Sequence, residues 1–123
     1  MKLLVVDDDV HIRRIVALYL RDHDVAEAAT AEEALARVGA ETFDAVIVDV
    51  ILPHFGGLRL CRKIKETATP PRVIVMSGDE QLRDQAAEAG ADAFLAKPFT
   101  REDLSASAAR NSVPVSVTSA FVP

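Results

Sequence analysis

The sequence has little of what several function classes require. Its single cysteine, Cys61, cannot form an internal disulfide, and no thiolate metal site is indicated. Cys61 falls on the apolar stripe of a predicted helix, so we expect a small core residue rather than a reactive thiol. No apolar run approaches the roughly 20 residues of a membrane span. The N-terminus also lacks the basic segment and longer apolar core of a signal peptide, so we expect a cytoplasmic protein that does not associate with membranes.

Basic residues are outnumbered as well. The sequence has 14 lysines and arginines and 19 aspartates and glutamates, which gives a net charge of −5. A surface that binds nucleic acid is usually basic, so we expect no direct nucleic-acid binding by this chain. A length of 123 residues with 50% hydrophobic residues fits one globular domain with an ordinary core.

Short apolar runs alternate with helical patterns along the chain. The runs are Lys2–Val6, Val25–Ala28, Ala45–Val48, Arg72–Met76 and Ala93–Ala96. The first, third and fourth are nearly continuous in Leu, Val and Ile, which is typical of strands buried on both faces of a parallel sheet. The second run contains Glu27 and is expected nearer an edge.

Helices are predicted between and after these runs from 3–4 apolar spacing and end signals. They are Val10–Arg21, a helix that begins with a Thr30–Glu33 capping box and stops at Gly39, Leu58–Thr67, Gln81–Ala89 ending at Gly90, and a last short helix capped by Thr100 with Asp103 in its first turn.

This alternation predicts an α/β domain with a five-stranded parallel sheet and helices on both faces. Right-handed crossovers leave few topologies, and the doubly wound, flavodoxin-like order 2-1-3-4-5 is the simplest. In such sheets, ligands bind outside the carboxyl ends of the strands, where the strand order reverses. Here that point lies between strands 1 and 3.

The end of the chain has a different pattern. Pro114 would stop the preceding helix, and apolar and small polar residues alternate from Val113 to Val122, as in a strand. We therefore divide the chain into a domain of residues 1–110 and a C-terminal tail of residues 111–123. A disordered tail, an added strand and an arm exchanged with another copy all stay open.

Polar residues follow four of the predicted strands and should meet at one edge of the sheet. They are Asp7, Asp8 and Asp9 after the first strand, Asp49 after the third, Ser77 after the fourth and Lys97 after the fifth. Asp9 directly precedes a helix and is read as its N-cap. Crowded carboxylates raise one another's pKa unless a cation lies among them, and Mg²⁺ suits such an oxygen cage best, with Mn²⁺ as an alternative.

An aspartate in this setting has a known use. Carboxylates act as nucleophiles in aspartyl-phosphate chemistry. A lysine and a hydroxyl group can stabilise the oxygens of a phosphoryl group during transfer. The residues at the strand ends therefore point to metal-assisted phosphoryl transfer.

Several motifs together resemble a known family. They are Leu3–Asp8, Val46–Asp49, Leu52-Pro53 with Gly56-Gly57, Ile74–Gly78, and Ala89–Asp92 followed by Lys97–Phe99. In this order and spacing they resemble the receiver (response-regulator) domains of two-component signalling, over roughly residues 2–104.

The resemblance implies roles at the metal and phosphoryl site. Asp49 corresponds to the phosphoacceptor. Asp7 and Asp8 correspond to the acidic pair, with Asp8 the direct magnesium ligand and Asp7 acting through water. Ile51 occupies the position whose backbone carbonyl completes the metal shell.

The resemblance also implies a switch. Ser77 would move toward a phosphoryl oxygen and Lys97 would contact another, with Pro98 in a cis peptide bond. Phe94 occupies the aromatic position that swings inward when Ser77 moves, although a plain core residue is the alternative.

The function implied is a phosphorylation-dependent signalling switch. A histidine kinase or phosphotransfer protein would phosphorylate Asp49 with Mg²⁺, and the surface of helix 4, strand 5 and helix 5 would change to control an unidentified target or output domain. The protein would not be an enzyme beyond its own phosphorylation and dephosphorylation. The last helix is shorter than is usual in the family, which leaves homodimer formation open.

Other hypotheses remain beside this one. Asp7 and Asp9 form an Asp-x-Asp motif after a strand, which resembles the haloacid-dehalogenase phosphohydrolases, with Asp7 as nucleophile and Asp9 as acid/base. A binding module that works without phosphorylation is a second alternative. A third is that the chain is the receiver part of a larger protein. Asp79, two residues after Ser77, is acidic and expected near the site, where it would orient or repel a hydrolytic water.

Overall fold

The computed structural model describes residues 1–109, and within them strands and helices alternate. The strands are β1 (Lys2–Val6), β2 (Asp24–Ala28), β3 (Ala45–Asp49), β4 (Arg72–Ser77) and β5 (Ala93–Ala96). The helices are α1 (Val10–Tyr19), α2 (Ala31–Ala40), α3 (Gly57–Lys65), α4 (Arg83–Glu88) and α5 (Arg101–Ala108), and a 3₁₀ turn, Glu80–Leu82, precedes α4. The tail of residues 111–123 lies outside the described residues.

The strands form one parallel sheet in the order β2-β1-β3-β4-β5, which confirms the predicted topology. β3 is central and buried along its whole length. β2 is an edge strand, as its Glu27 indicated, and only its last residue is fully buried. The order reverses between β1 and β3, so their carboxyl ends form the crevice that the topology predicts.

Several element boundaries differ from the sequence predictions. β3 and β4 each extend one residue further, so that Asp49 and Ser77 are the last residues of their strands rather than the first residues after them. The prediction that Gly39 ends α2 was wrong, because the helix continues through it to Ala40. The segment Gln81–Ala89 is not one helix but a 3₁₀ turn followed by the six residues of α4.

Side-chain caps mark the starts of α1, α2 and α5. Asp9 caps α1 by accepting hydrogen bonds from the backbone N–H groups of His11 and Ile12. Thr100 and Asp103 form the full capping box at α5. Thr30 caps α2 as predicted, since its hydroxyl group accepts from the N–H of Glu33. The Glu33 carboxylate, however, accepts from the N–H of Ala29 rather than from that of Thr30, as a full capping box would require.

A glycine allows α3 to start against the end of β3. A Cβ atom on Gly57 would lie 2.7 Å from Val50 Cα and would overlap the carbonyl oxygen of Asp49. The N–H of Gly57 also donates to the carbonyl of Val50 at 2.8 Å. This close approach fixes the loop that follows Asp49. No helix in the described part of the chain is long and apolar enough to cross a membrane.

Candidate phosphoacceptor site

Buried polar side chains meet at the carboxyl edge of the sheet. Asp7 directly follows β1 and is 1% exposed, while Asp49 ends β3 and Ser77 ends β4, both nearly buried. Lys97 follows β5 and reaches back across the edge. Parallel strands all end at the same side of the sheet, which is why residues so far apart in sequence lie together.

The Asp49 carboxylate is held at both oxygens. Its Oδ2 accepts a hydrogen bond from Lys97 Nζ at 2.7 Å, and its Oδ1 accepts one from the backbone N–H of Ile51 at 2.8 Å. The Asp49 side chain is 8% exposed and that of Lys97 is 31% exposed. The ion pair therefore faces solvent through its lysine side, and the carboxylate has a fixed orientation.

Asp7 has the least favourable environment of the carboxyl groups at this site. Its Oδ1 accepts from the N–H of Asp9 at 2.9 Å, whereas its Oδ2 is buried without a partner among the described residues. Its pKa is raised from 3.8 to about 7, mainly by burial and also by the neighbouring Asp49 carboxylate, while the hydrogen bond from Asp9 opposes the rise. A bound cation would relieve both the missing partner and the burial cost of the charge.

The remaining expected ligands lie at the solvent side. Asp8 and Ile51 are exposed, the latter at 75%. Within residues 1–109, no three acidic, histidine or cysteine side chains are arranged as a ready-made metal cage. Mg²⁺ typically uses one or two carboxylates and retains several waters. The buried pair Asp7 and Asp49 fits such an ion, and Asp8 directly follows Asp7 in the sequence.

Ser77 is turned toward its own loop rather than toward Asp49. Its Oγ accepts from the N–H of Asp79 at 2.9 Å and lies 3.3 Å from the Asp79 carbonyl, to which it donates. The Asp79 carboxylate caps the 3₁₀ turn by accepting from the N–H of Gln81 at 2.9 Å. Asp79 thus has a local structural role as a cap, which is separate from its predicted role in orienting or repelling a hydrolytic water.

Phe94 and Pro98 lie on the β5 side. Phe94 is fully buried, with the Arg83 guanidinium 5.7 Å from its ring centre. It is buried while Ser77 is turned away from Asp49, so the inward position of Phe94 does not require Ser77 to move. The Lys97–Pro98 peptide bond is cis.

Arg13 is a residue of this edge that the sequence reading missed. Its Nη1 donates to the backbone carbonyl of Asp7 at 2.6 Å, and its Nε donates to Glu27 Oε1 at 3.1 Å. Arg13 is partly buried and its neighbour Arg14 is exposed, a difference that the sequence Arg13-Arg14 does not reveal. A long side chain that bonds a backbone carbonyl leaves no motif in the sequence.

Comparison with known sequences agrees with the geometry. A family model described as the response regulator receiver domain matches residues 3–109. The transcriptional regulatory protein ResD of Bacillus subtilis (strain 168) is 37% identical over 106 residues, which are 84% of this chain and 44% of ResD. The response regulator MprA of Mycolicibacterium vanbaalenii is 34% identical over 108 residues, 85% of this chain and 47% of MprA. The chain thus spans less than half the length of these relatives.

Solved structures give the same result. The response regulator DrrB, a Thermotoga maritima OmpR/PhoB homolog, has a TM-score of 0.75 and 38% identity, covering 84% of this chain and 48% of DrrB. A putative response regulator from Chloroflexus aurantiacus J-10-fl has a TM-score of 0.80 and 34% identity, covering 85% and 90% of the two chains. The chain belongs to the receiver domains of two-component response regulators, a family of phosphorylation-dependent signalling switches.

Proposed function

We propose that this chain accepts a phosphoryl group on Asp49, in a Mg²⁺-dependent reaction, from a histidine kinase or a phosphotransfer protein. The observation that carries the proposal is the pairing of the fixed Asp49–Lys97 ion pair with the unpartnered, buried oxygen of Asp7. Such a site holds a carboxylate nucleophile, a cation for the incoming phosphoryl group and a place for a metal ion.

The metal would be held by the carboxylates of Asp7, Asp8 and Asp49 and by the backbone carbonyl of Ile51. Asp8 would be the direct ligand and Asp7 would act through water. The ion, Mg²⁺ or Mn²⁺, supplies charge neutralisation between the carboxylates and the phosphoryl oxygens.

The transfer step follows from the contacts of Asp49. A carboxylate oxygen of Asp49 forms the new bond to phosphorus as the bond from phosphorus to the donor's histidine nitrogen breaks. Lys97 Nζ, now 2.7 Å from Asp49 Oδ2, moves its hydrogen bond to a phosphoryl oxygen. The protein catalyses at most this reaction and the later hydrolysis, so it is a switch rather than a conventional enzyme.

The switch would start at Ser77. A phosphoryl group on Asp49 carries about two negative charges in place of the single charge of the carboxylate, and it adds strong acceptors, so Ser77 would exchange its present bonds to Asp79 for a bond to a phosphoryl oxygen. Loss of these bonds would loosen the backbone of Asp79, whose carboxylate caps the 3₁₀ turn before α4, a helix of only six residues. Phe94 beneath Arg83 then repacks, and the α4–β5–α5 surface changes.

The phosphodonor needs a docking surface next to Asp49, and α1 offers one. Ile15 and Leu18 are 46% and 58% exposed on this helix. Beside them, a groove of about 270 Å³ lies between α1 and the Lys97–Phe99 loop, lined by Ile12, Ile15, Val16, Tyr19, Lys97, Pro98 and Phe99. Exposed apolar surface of this kind is typical of a protein-binding site, and Lys97 connects it to the phosphoacceptor.

The setting of the domain completes the proposal. We expect a cytoplasmic protein that reaches its target through a partner protein or a linked output domain, without direct nucleic-acid contact by this chain. Residues 1–110 would be the receiver unit.

Intact-protein mass spectrometry tests the proposal. The protein is incubated with acetyl phosphate and Mg²⁺, beside an Asp49→Asn variant and a sample with the metal chelated. A single phosphoryl adduct that disappears in both controls is the expected result. No adduct on the wild-type protein would favour a binding module that works without phosphorylation, and an adduct that persists in Asp49→Asn would move the nucleophile to Asp7, as in a phosphohydrolase.

A further inference from the structure

Arg13 joins three elements at the edge that holds the acidic residues. It lies on α1, its Nη1 donates to the backbone carbonyl of Asp7 after β1, and its Nε donates to Glu27 on β2. We propose that Arg13, braced by Glu27, is a positioning residue of the metal site: it fixes the peptide plane between Asp7 and Asp8 and so directs both carboxylates. The inference rests on the proposed metal-dependent function.

The geometry is that of a two-point clamp. The distances are 2.6 Å from Arg13 Nη1 to the Asp7 carbonyl and 3.1 Å from Nε to Glu27 Oε1. The Arg13 side chain is only 15% exposed, so its donors are largely shielded from water, although the Glu27 side chain at the other end of the ion pair is 39% exposed. The planar guanidinium group presents its donors in a fixed fork, and the bond to Glu27 therefore sets the direction of the bond to Asp7.

The carbonyl of Asp7 needs such a clamp because the sheet does not supply one. β1 ends at Val6, and the last contact of the strand type is the bond from the Asp7 N–H to the Ala28 carbonyl at 3.1 Å. Beyond that point, the Asp7 carbonyl and the Asp8 N–H share one rigid peptide plane. Rotation of this plane would swing Asp8 relative to the buried Asp7 carboxylate, and the bond from Arg13 opposes it.

Positioning and simple charge give opposite expectations. Arg13 is a cation beside a site for a divalent cation, so Coulomb's law alone predicts that its removal strengthens metal binding. If Arg13 instead holds the acidic pair in place, its removal weakens metal binding, since residues that orient ligands typically contribute 10–100-fold to affinity. The sign of the change therefore separates the two roles.

The test compares Mg²⁺ dissociation constants by isothermal titration calorimetry on metal-free protein. Arg13→Gln is expected to bind Mg²⁺ about tenfold more weakly than the wild type. Arg13→Lys is expected to remain weak, because a single ammonium group cannot span both acceptors. Glu27→Gln, which leaves the arginine without its brace, is expected to weaken binding to a smaller extent.

Arg14→Gln is the matched control, since it makes the same charge change on the exposed neighbour in the same helix. It is expected to bind Mg²⁺ within about twofold of the wild type. Thermal unfolding of each variant in chelator checks that it is folded, and Glu27→Gln keeps the test decisive if Arg13→Gln is not.

The outcomes separate this inference from the function on which it rests. Binding that is unchanged or tighter in Arg13→Gln, or restored in Arg13→Lys, would overturn the positioning role while the metal site stands. A wild-type protein that binds no Mg²⁺ would instead overturn the metal-dependent function and the inference with it.

Discussion

Replacing Asp7 by asparagine should change how the stability of the metal-free protein depends on pH. Burial, assisted by the Asp49 carboxylate, raises the pKa of Asp7 from 3.8 to about 7. Because the folded state keeps this proton where the unfolded chain has lost it, the folded state binds more protons between these two values. The free energy of unfolding therefore falls as the pH rises from about 4 to about 7.

The size of the effect follows from the two pKa values. One unit of pKa shift corresponds to about 1.4 kcal/mol. From pH 5 to pH 8, the Asp7 carboxyl group should lower the stability of the wild-type protein by about 3 kcal/mol. An asparagine side chain has no charge to bury, so the Asp7→Asn variant should lack this component and should be the more stable protein at pH 8.

Urea unfolding in the presence of chelator, at pH 5 and at pH 8, measures the effect. Subtracting the free energy of unfolding of Asp7→Asn from that of the wild type at each pH removes the contribution of the other titrating groups. Addition of Mg²⁺ at pH 8 should stabilise the wild type and should stabilise the variant much less. If the free energies of unfolding of the two proteins depended equally on pH, the claim that Asp7 is a buried carboxyl group with a raised pKa would be refuted.

Three further outcomes are expected. Gly57→Ala should lower the free energy of unfolding by about 2 kcal/mol in urea titrations, because its Cβ would overlap the carbonyl oxygen of Asp49 and crowd Val50. Gly39→Ala, where the added Cβ meets open space, should instead raise it by up to about 1 kcal/mol. Ser77→Ala should still form the phosphoryl adduct by mass spectrometry but should lose the accompanying structural change in the 3₁₀ turn. Ile15→Asp should slow phosphoryl transfer from a phosphohistidine protein in assays quenched at set times. It should leave the rate of labelling by acetyl phosphate within about twofold of the wild-type rate.

The topology could be predicted because it depends on features that the sequence carries directly. The buried central strand β3 contains the continuous apolar run Ala45–Val48, and the edge strand is marked by Glu27. The convergence of residues at strand ends follows from parallel alternation alone. Caps such as Asp9 were visible because they depend on one side chain and the next few backbone groups.

Features that depend on contacts between distant elements could not be predicted in the same way. Gly39 looks like a helix stop, yet the chain accommodates it as a helical residue before the end at Ala40. The clamp of Arg13 joins residues on three elements. The direction of the Ser77 side chain, toward Asp79 rather than toward Asp49, depends on the local loop geometry. The raised pKa of Asp7 needs the depth of burial, which no spacing rule provides.

The most direct test of the central claim follows the backbone N–H of Asp79 by NMR in uniformly ¹⁵N-labelled protein. The account predicts that phosphorylation of Asp49 with acetyl phosphate and Mg²⁺ shifts this signal and those of β4 and α4, because Ser77 Oγ leaves Asp79 for the phosphoryl group. The Asp49→Asn variant should show no such shift. A stoichiometric adduct on Asp49 that leaves the Asp79 signal unmoved would contradict a switch that works through Ser77.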